Sequence, residues 1–190
     1  MKNKLFVISG SSGVGKGTVL KQFLDRNRNF VLSVSCTTRS PRPGEVDGIN
    51  YFYISKEDFL KSINNNEFLE WAEFAQNMYG TKKSFVQSCL NNGKNVILEI
   101  ETTGALNIKE QIPESVLIFI APPSLEALEQ RLRGRHTEDE NAIQKRLSEV
   151  KIEIERAKSY DYTILNDSVE NAVKALENIV KIEADRWCKT

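Results

Sequence analysis

Cysteine is scarce, histidine nearly absent, and no hydrophobic run is long. The cysteines of this 190-residue chain, Cys36, Cys89 and Cys188, are odd in number and far apart. With no Cys-x-x-Cys pair, they argue against a disulfide framework or a zinc site and suit free thiols in a reducing compartment. The single histidine, His136, reads as loop decoration and not as a catalyst. The longest strongly apolar stretch, 116–121 before Pro122, is far too short to span a bilayer. Lys2 and Lys4 precede only the apolar residues 5–8 before Ser9-Gly10, which is no signal-peptide core, so the cytosol is the expected compartment. A charge excess is also missing. Lys+Arg 26 balances Asp+Glu 26, which disfavours a nucleic acid or an anionic membrane as the main partner. Local arginine clusters that grip a small phosphate remain compatible with that balance.

What is present is the composition of an ordinary globular domain, 40% hydrophobic and 27% charged. The length suits one domain. Short apolar runs at 5–9, 95–100, 116–120 and 162–165 have the character of buried parallel strands. Amphipathic stretches at 17–25, 82–90, 125–133 and 141–158 alternate with them, with Gly93 as a stop. Val169, Val173, Leu176, Val180, Ala184 and Trp187 recur at helical spacing behind a Ser168 cap. Strands that alternate with helices predict a three-layer α/β fold around a parallel sheet. Two segments break the alternation. Residues 35–81 carry Pro41, Pro43, Gly44 and Gly48, then aromatic-rich strand-like pieces at 51–54 and 68–74, with a short helix opened by Ser55 to Asp58. They predict an inserted lobe. Residues 134–140 form a polar loop between two helices, the natural place for a lid.

Gly10-Ser11-Ser12-Gly13-Val14-Gly15-Lys16-Gly17-Thr18 joins the first strand to the first helix. Glycines let the backbone wrap a phosphate with its N–H groups, and the helix N-terminus adds partial positive charge. Lys16 is placed to reach the β- and γ-phosphates of a nucleotide. Gly17 stands where such loops usually carry a magnesium-ligating Ser or Thr, with Thr18 next. Gly-Lys-Gly-Thr loops of this kind resemble those of nucleoside monophosphate kinases, which implies magnesium held largely through water. No residue is therefore assigned as a direct metal ligand.

Thr37-Thr38-Arg39-Ser-Pro-Arg42 brings two guanidinium forks together beside hydroxyls, a set suited to phosphate oxygens. Asn50-Tyr51-Phe-Tyr, Glu67-Phe-Leu-Glu70-Trp71 and Tyr79-Gly-Thr81 follow in order. Together these motifs resemble the guanylate kinase family over nearly the whole chain. The resemblance implies a P-loop kinase core (1–34, 82–125 and 159–190), a GMP-binding lobe (35–81) and a lid region (126–158). It implies that Ser35, Arg39, Arg42, Tyr51 and Tyr79 bind the phosphate of GMP, and that Glu70, Thr81 and Glu101 read its base. It further implies that Arg131, Arg135 and Arg146 reach the reacting phosphates from the lid side, with Lys16, Arg39 and Arg42 facing them. Asn166 would lie beside the adenine of ATP. Arg133 has no such match and reads as a solvated helix charge. Phe52, Phe68, Trp71 and Phe74 are expected in the core.

The chemistry of the base fits this assignment. Guanine presents N1–H and the 2-amino group as adjacent donors that one carboxylate can accept, while adenine reverses that edge. The family usually has aspartate at 101 and glutamine at 103, so Glu101 is one methylene longer and Thr103 lacks an amide. The expected activity is MgATP + GMP giving ADP + GDP, with ATP and GMP as the small-molecule partners. Three rivals are weighed: a non-catalytic guanylate-kinase-like interaction module, a regulatory GTPase and an AMP kinase. The first is opposed by the intact loop and arginines. The second lacks an Asn-Lys-x-Asp motif, and the third conflicts with Glu70 and Thr81.

Overall fold

The computed structural model describes residues 4–11, 13–74, 76–133 and 140–187, apart from the side chains of 131, 132, 141, 142, 145 and 187. Its main sheet has the order β2-β7-β1-β8-β9, formed by Phe30–Leu32 (β2), Asn95–Glu99 (β7), Leu5–Gly10 (β1), Val116–Ala121 (β8) and Tyr162–Leu165 (β9). Every pairing in it is parallel. β1 and β8 are buried along their whole length, so their sequences read as continuous apolar runs and not as alternation. One face carries Phe6, Ile8, Ile97, Ile118 and Ile120 against helices α1 (Lys16–Arg26) and α7 (Val169–Trp187). The opposite face carries Val7, Leu98 and Leu117 against α3 (Lys83–Asn91) and α4 (Thr102–Gln111). The three-layer reading from the alternating pattern therefore holds.

The second sheet has the order β4-β3-β6-β5, from Phe52–Tyr53, Cys36–Thr37, Asn77–Lys82 and Phe68–Phe74. α2 (Lys56–Asn64) starts where Ser55 accepts the Asp58 N–H at 3.0 Å, the local signature that marked it in sequence. Phe59 stacks on Phe68 at 4.4 Å, and with Cys36 and Met78 they make this sheet's own small core. α5 (Leu125–Arg133) and α6 (Glu140–Ala157) pack through Leu128 and Val150.

Several sequence expectations need correction. β2 and α4 were not legible: β2 is only three residues long, and α4 follows β7 with no glycine or proline between them. Lys82 ends β6 and lies just outside α3. Trp71 is 47% and Phe74 72% exposed, so neither belongs to the core, whereas Phe68 does and Phe52 packs half-buried against it. The β5–β6 hairpin explains the difference, because its outer half projects past the lobe's small core. Arg133 is exposed, as a solvated helix charge is, and is also paired. It bonds Glu129 and Glu140, each at 2.7 Å, and so ties α5 to α6.

Phe23 of α1 is fully buried and meets Phe30 edge-on at 5.0 Å, locking β2 against α1. Phe23→Ala is expected to cost about 3–5 kcal/mol in urea unfolding. Leu165→Ala, at a position 60% exposed, should cost under about 1 kcal/mol. Equal losses at the two positions would contradict this placement of the core.

Candidate active site

The phosphate loop leaves the end of β1 under tight constraint. A Cβ at Gly10 would overlap the carbonyl oxygen of Ile120 on β8, so only glycine lets the loop depart there. Gly15 has φ 94° and caps α1 without any side-chain bond. The first turn of α1 has no acidic residue either. Its leading N–H groups and the positive end of its dipole are thus left for an external anion. α3 likewise lacks a capping side chain and an acidic first turn, but its cap is Lys82 at the end of β6 and not a glycine loop. Two other helices are capped from within: Ser55 caps α2, and Glu101 caps α4.

Lys16 bends back over its own loop, where Nζ donates to the Gly10 carbonyl and, at 3.4 Å, to that of Ser11. Burial pushes its pKa down, opposed by the carboxylates of Glu99 and Glu153. Glu99 ends β7 with an exposed side chain, and Thr18 is exposed one turn into α1. From the far side, Asn166 donates Nδ2 to the Val14 carbonyl at 2.7 Å. Gly10, Ser11, Gly13, Val14, Gly15, Lys16, Gly17, Thr18 and Asn166 are therefore gathered at one end of the sheet. Ser12 lies outside the described residues.

A second polar cluster lies on the small sheet. Tyr51 meets Tyr79 edge-on at 5.8 Å, and the Arg39 guanidinium lies 5.6 Å from the Tyr51 ring centre. Arg39 forks onto both oxygens of Glu45, each at 2.9 Å. The Arg42 backbone N–H and the Tyr53 hydroxyl bond the same carboxylate at 2.7 and 2.8 Å. Together these donors, the Arg42 N–H foremost, hold the Glu45 carboxyl at about 2. The guanidinium of Arg39 is thereby fixed over the tyrosines, and the Arg42 side chain is exposed beside it. Ser35 lies half-buried nearby, its Oγ 3.4 Å from Thr81 Oγ1.

Thr81 in turn donates to Glu70 Oε1 at 2.8 Å across the β5–β6 ladder. Burial raises the Glu70 pKa, and the nearby Glu101 raises it further. A Cβ at Gly104 would sit 3.3 Å from Glu70 Oε2 and 3.4 Å from Glu101 Oε1, so this glycine lets the two carboxyls share one corner. Glu101 already has a task. Its oxygens accept the N–H groups of Gly104 at 2.7 Å and Thr103 at 2.9 Å. The extra methylene relative to aspartate is taken up in this cap.

Ser35, Arg39, Tyr51, Glu70, Tyr79, Thr81 and Glu101 are thus linked through the small sheet and the start of α4. Arg146 is half-buried on α6. The Arg131 side chain, all of Arg135, and His136 lie outside the described residues. Sequence reasoning gave no role to Glu45, Tyr53 or Glu99. The first carried a signal: Glu45 follows Arg42 by three residues across Pro43-Gly44, the spacing of a turn that returns a side chain to its own start.

A glycine loop on an uncapped helix at the end of a parallel sheet defines a P-loop kinase fold. The family model for guanylate kinase matches residues 2–183. A guanylate kinase of Clostridioides difficile is 51% identical over 185 residues, covering 97% of this chain and 90% of that protein. One from Prochlorococcus marinus is 51% identical over 183 residues, covering 95% and 100%. The crystal structure of guanylate kinase from Anaplasma phagocytophilum superposes with TM-score 0.76 at 33% identity, covering 95% of this chain and 86% of that one. The chain belongs to the guanylate kinase family.

As the cap of α4, Glu101 has a measurable stability role. Glu101→Ala should cost about 0.5–2 kcal/mol in urea unfolding, and Glu101→Asp clearly less, because a shorter carboxylate still caps. An alanine variant as stable as the parent would contradict the capping role.

Proposed function

We propose that this chain transfers the γ-phosphoryl group of ATP to GMP, giving ADP and GDP. The observation that carries the reading is that two cationic groups stand on different elements: Lys16 at the open N-terminus of α1, and Arg39 over Tyr51, which meets Tyr79. One serves the donor phosphates and the other the acceptor phosphate. In this reading 35–81 is the acceptor lobe, 126–158 the lid region, and the rest the core. The free thiols of Cys36 and Cys89 suit a reducing cytosol.

No covalent intermediate is required, because positioning and charge stabilisation do most of the work in phosphoryl transfer. Lys16, released from its loop carbonyls, neutralises the donor phosphates. Arg39 and Arg42 hold the acceptor phosphate in line, and Tyr51 and Tyr79 donate hydroxyl protons to it. Arg131, Arg135 and Arg146 add positive charge where the equatorial oxygens carry it. Closure of lobe and lid then excludes water from the reacting phosphates.

Magnesium enters with ATP. Among the described residues no cluster of three or more His, Cys, Asp or Glu side chains is placed to hold a metal alone. The donors at hand, the Thr18 hydroxyl and the Glu99 carboxylate, are exposed hard oxygens, and a Cβ at Gly17 would meet nothing within 4 Å. That set fits a small hydrated cation held chiefly by phosphates and water. When bound, the ion would neutralise phosphate charge, and Glu99 and Thr18 would orient its water shell.

Ionised Glu70 accepts the adjacent N–H donors of guanine. In the free protein Thr81 spends its one hydroxyl proton on Glu70, so offering it to guanine O6 means giving up that bond. The raised pKa sets the sign of two effects. GMP use should weaken as pH falls through it, because the carboxyl then loses an acceptor. In stability terms the ionised form carries a penalty that is absent below the unfolded-state value. The penalty grows as pH rises towards the folded-state value and is complete above it.

Two measurements follow. ADP production in a coupled assay should be at least about tenfold more efficient with GMP than with AMP, whose edge leaves a buried carboxylate without its donors. Equal rates with AMP, or none with GMP, would refute the reading. Glu70→Gln should raise the melting temperature near neutral pH while lowering kcat/KM for GMP about five- to a hundredfold. A variant that loses both stability and activity would contradict the assigned burial penalty.

A further inference from the structure

Asn166 follows β9 and is 4% exposed. Its backbone N–H bonds the Ala121 carbonyl at 2.8 Å, extending the β8–β9 ladder by one residue. Its side chain reaches across 152 positions of sequence to the phosphate loop, where Nδ2 donates to Val14 O at 2.7 Å. The opposite amide orientation would set two oxygens against each other, so the chemistry fixes which end faces the loop. A Cβ on Gly15 would come within 3.0 Å of the same Nδ2. Asn166 therefore lies directly beneath the Val14–Gly15 peptide.

That contact has a geometric consequence. In a planar trans peptide, the C=O of one residue and the N–H of the next point in opposite directions. Among the described residues no peptide is cis. A bond that draws the Val14 carbonyl inward to a buried amide turns the Gly15 N–H outward, to the open side of the loop. Gly15 itself holds φ 94°, a left-handed conformation that glycine adopts without strain. We propose that Asn166 is a positioning residue for the donor phosphates: by holding Val14 O it aims the Gly15 N–H at the bound phosphate. It does so whichever base the donor carries. The inference rests on the reading of the loop as the ATP phosphate site. It gives Asn166 a task distinct from lying beside adenine.

A ligand without a base separates the alternatives. Calorimetric titration of inorganic tripolyphosphate into the intact protein probes the loop alone, and the ratio of ATP to GTP as donor probes base reading. Asn166→Leu keeps the approximate size and removes the donor without adding charge. It should lower tripolyphosphate affinity about ten- to a hundredfold, the effect of losing one well-aimed bond to a charged group. kcat with ATP should fall as well, while the ATP-to-GTP ratio and the KM for GMP stay within about twofold. Unchanged tripolyphosphate affinity with an altered donor ratio would make Asn166 an adenine reader and overturn the proposal. A lower melting temperature with both quantities unchanged would make it merely structural and overturn it too.

Asn166→Ala should give the same pattern if the leucine variant fails to fold. In the parent protein, amide NMR supplies a readout that needs no variant. Tripolyphosphate should move the Gly15 N–H resonance strongly, and the Asn166 side-chain amide should stay protected from exchange with solvent. A Gly15 resonance that does not respond overturns the proposal. Failure of the parent to bind tripolyphosphate at all would instead remove the phosphate-loop reading on which it rests.

Discussion

The N-terminus of α1 is left open, and the site is arranged around that fact. A helix N-terminus needs partners for its leading N–H groups. At α2 and α4 the chain supplies them from within, with Ser55 and Glu101. At α1 it supplies neither a capping side chain nor an acidic first turn. The sheet holds this open end in place. β1 is buried at the centre, Gly10 presses against the Ile120 backbone, and Asn166 grips Val14 from below. The unmet backbone donors are therefore preorganised for an anion, with little rearrangement left for the moment of binding.

Charge on the two sides of the reaction is stored differently. Lys16 rests on its own loop carbonyls, partly desolvated, and in the proposed reaction would exchange these for phosphate oxygens. Arg39 is instead held by a true counter-charge, Glu45, within a set of bonds that includes a backbone N–H and a tyrosine hydroxyl. A lone guanidinium on a loop would sample many rotamers and lose entropy on binding. One fixed by Glu45 against Tyr51 and Tyr53 has already lost most of it.

Much of the fold could be read from sequence because the central strands are buried on both faces and so appear as unbroken apolar runs. The phosphate loop was readable for a similar reason, since its glycines, lysine and flanking elements are contiguous. β2 was too short to show a period, and α4 lacked the punctuation that marks a helix start, its cap being a glutamate. The reading of the aromatic lobe residues went wrong at Trp71 and Phe74, because composition does not reveal how far a hairpin projects past its core. Within the site, contiguous motifs named the cationic residues. Glu45 carries only the spacing of a turn back to Arg42, Glu99 carries no motif of its own, and the grip of Asn166 on Val14 joins positions that only the fold brings together.

The central claim is a division of labour, with donor phosphates on the α1 loop and the acceptor phosphate on the lobe. Calorimetric titration of GMP into Lys16→Met tests it most directly. The account predicts GMP affinity within about threefold of the parent, while turnover is abolished, because the lysine is needed only where the γ-phosphoryl charge moves. A loss of GMP affinity as large as the loss of turnover would show that one site serves both phosphates, and would contradict the account.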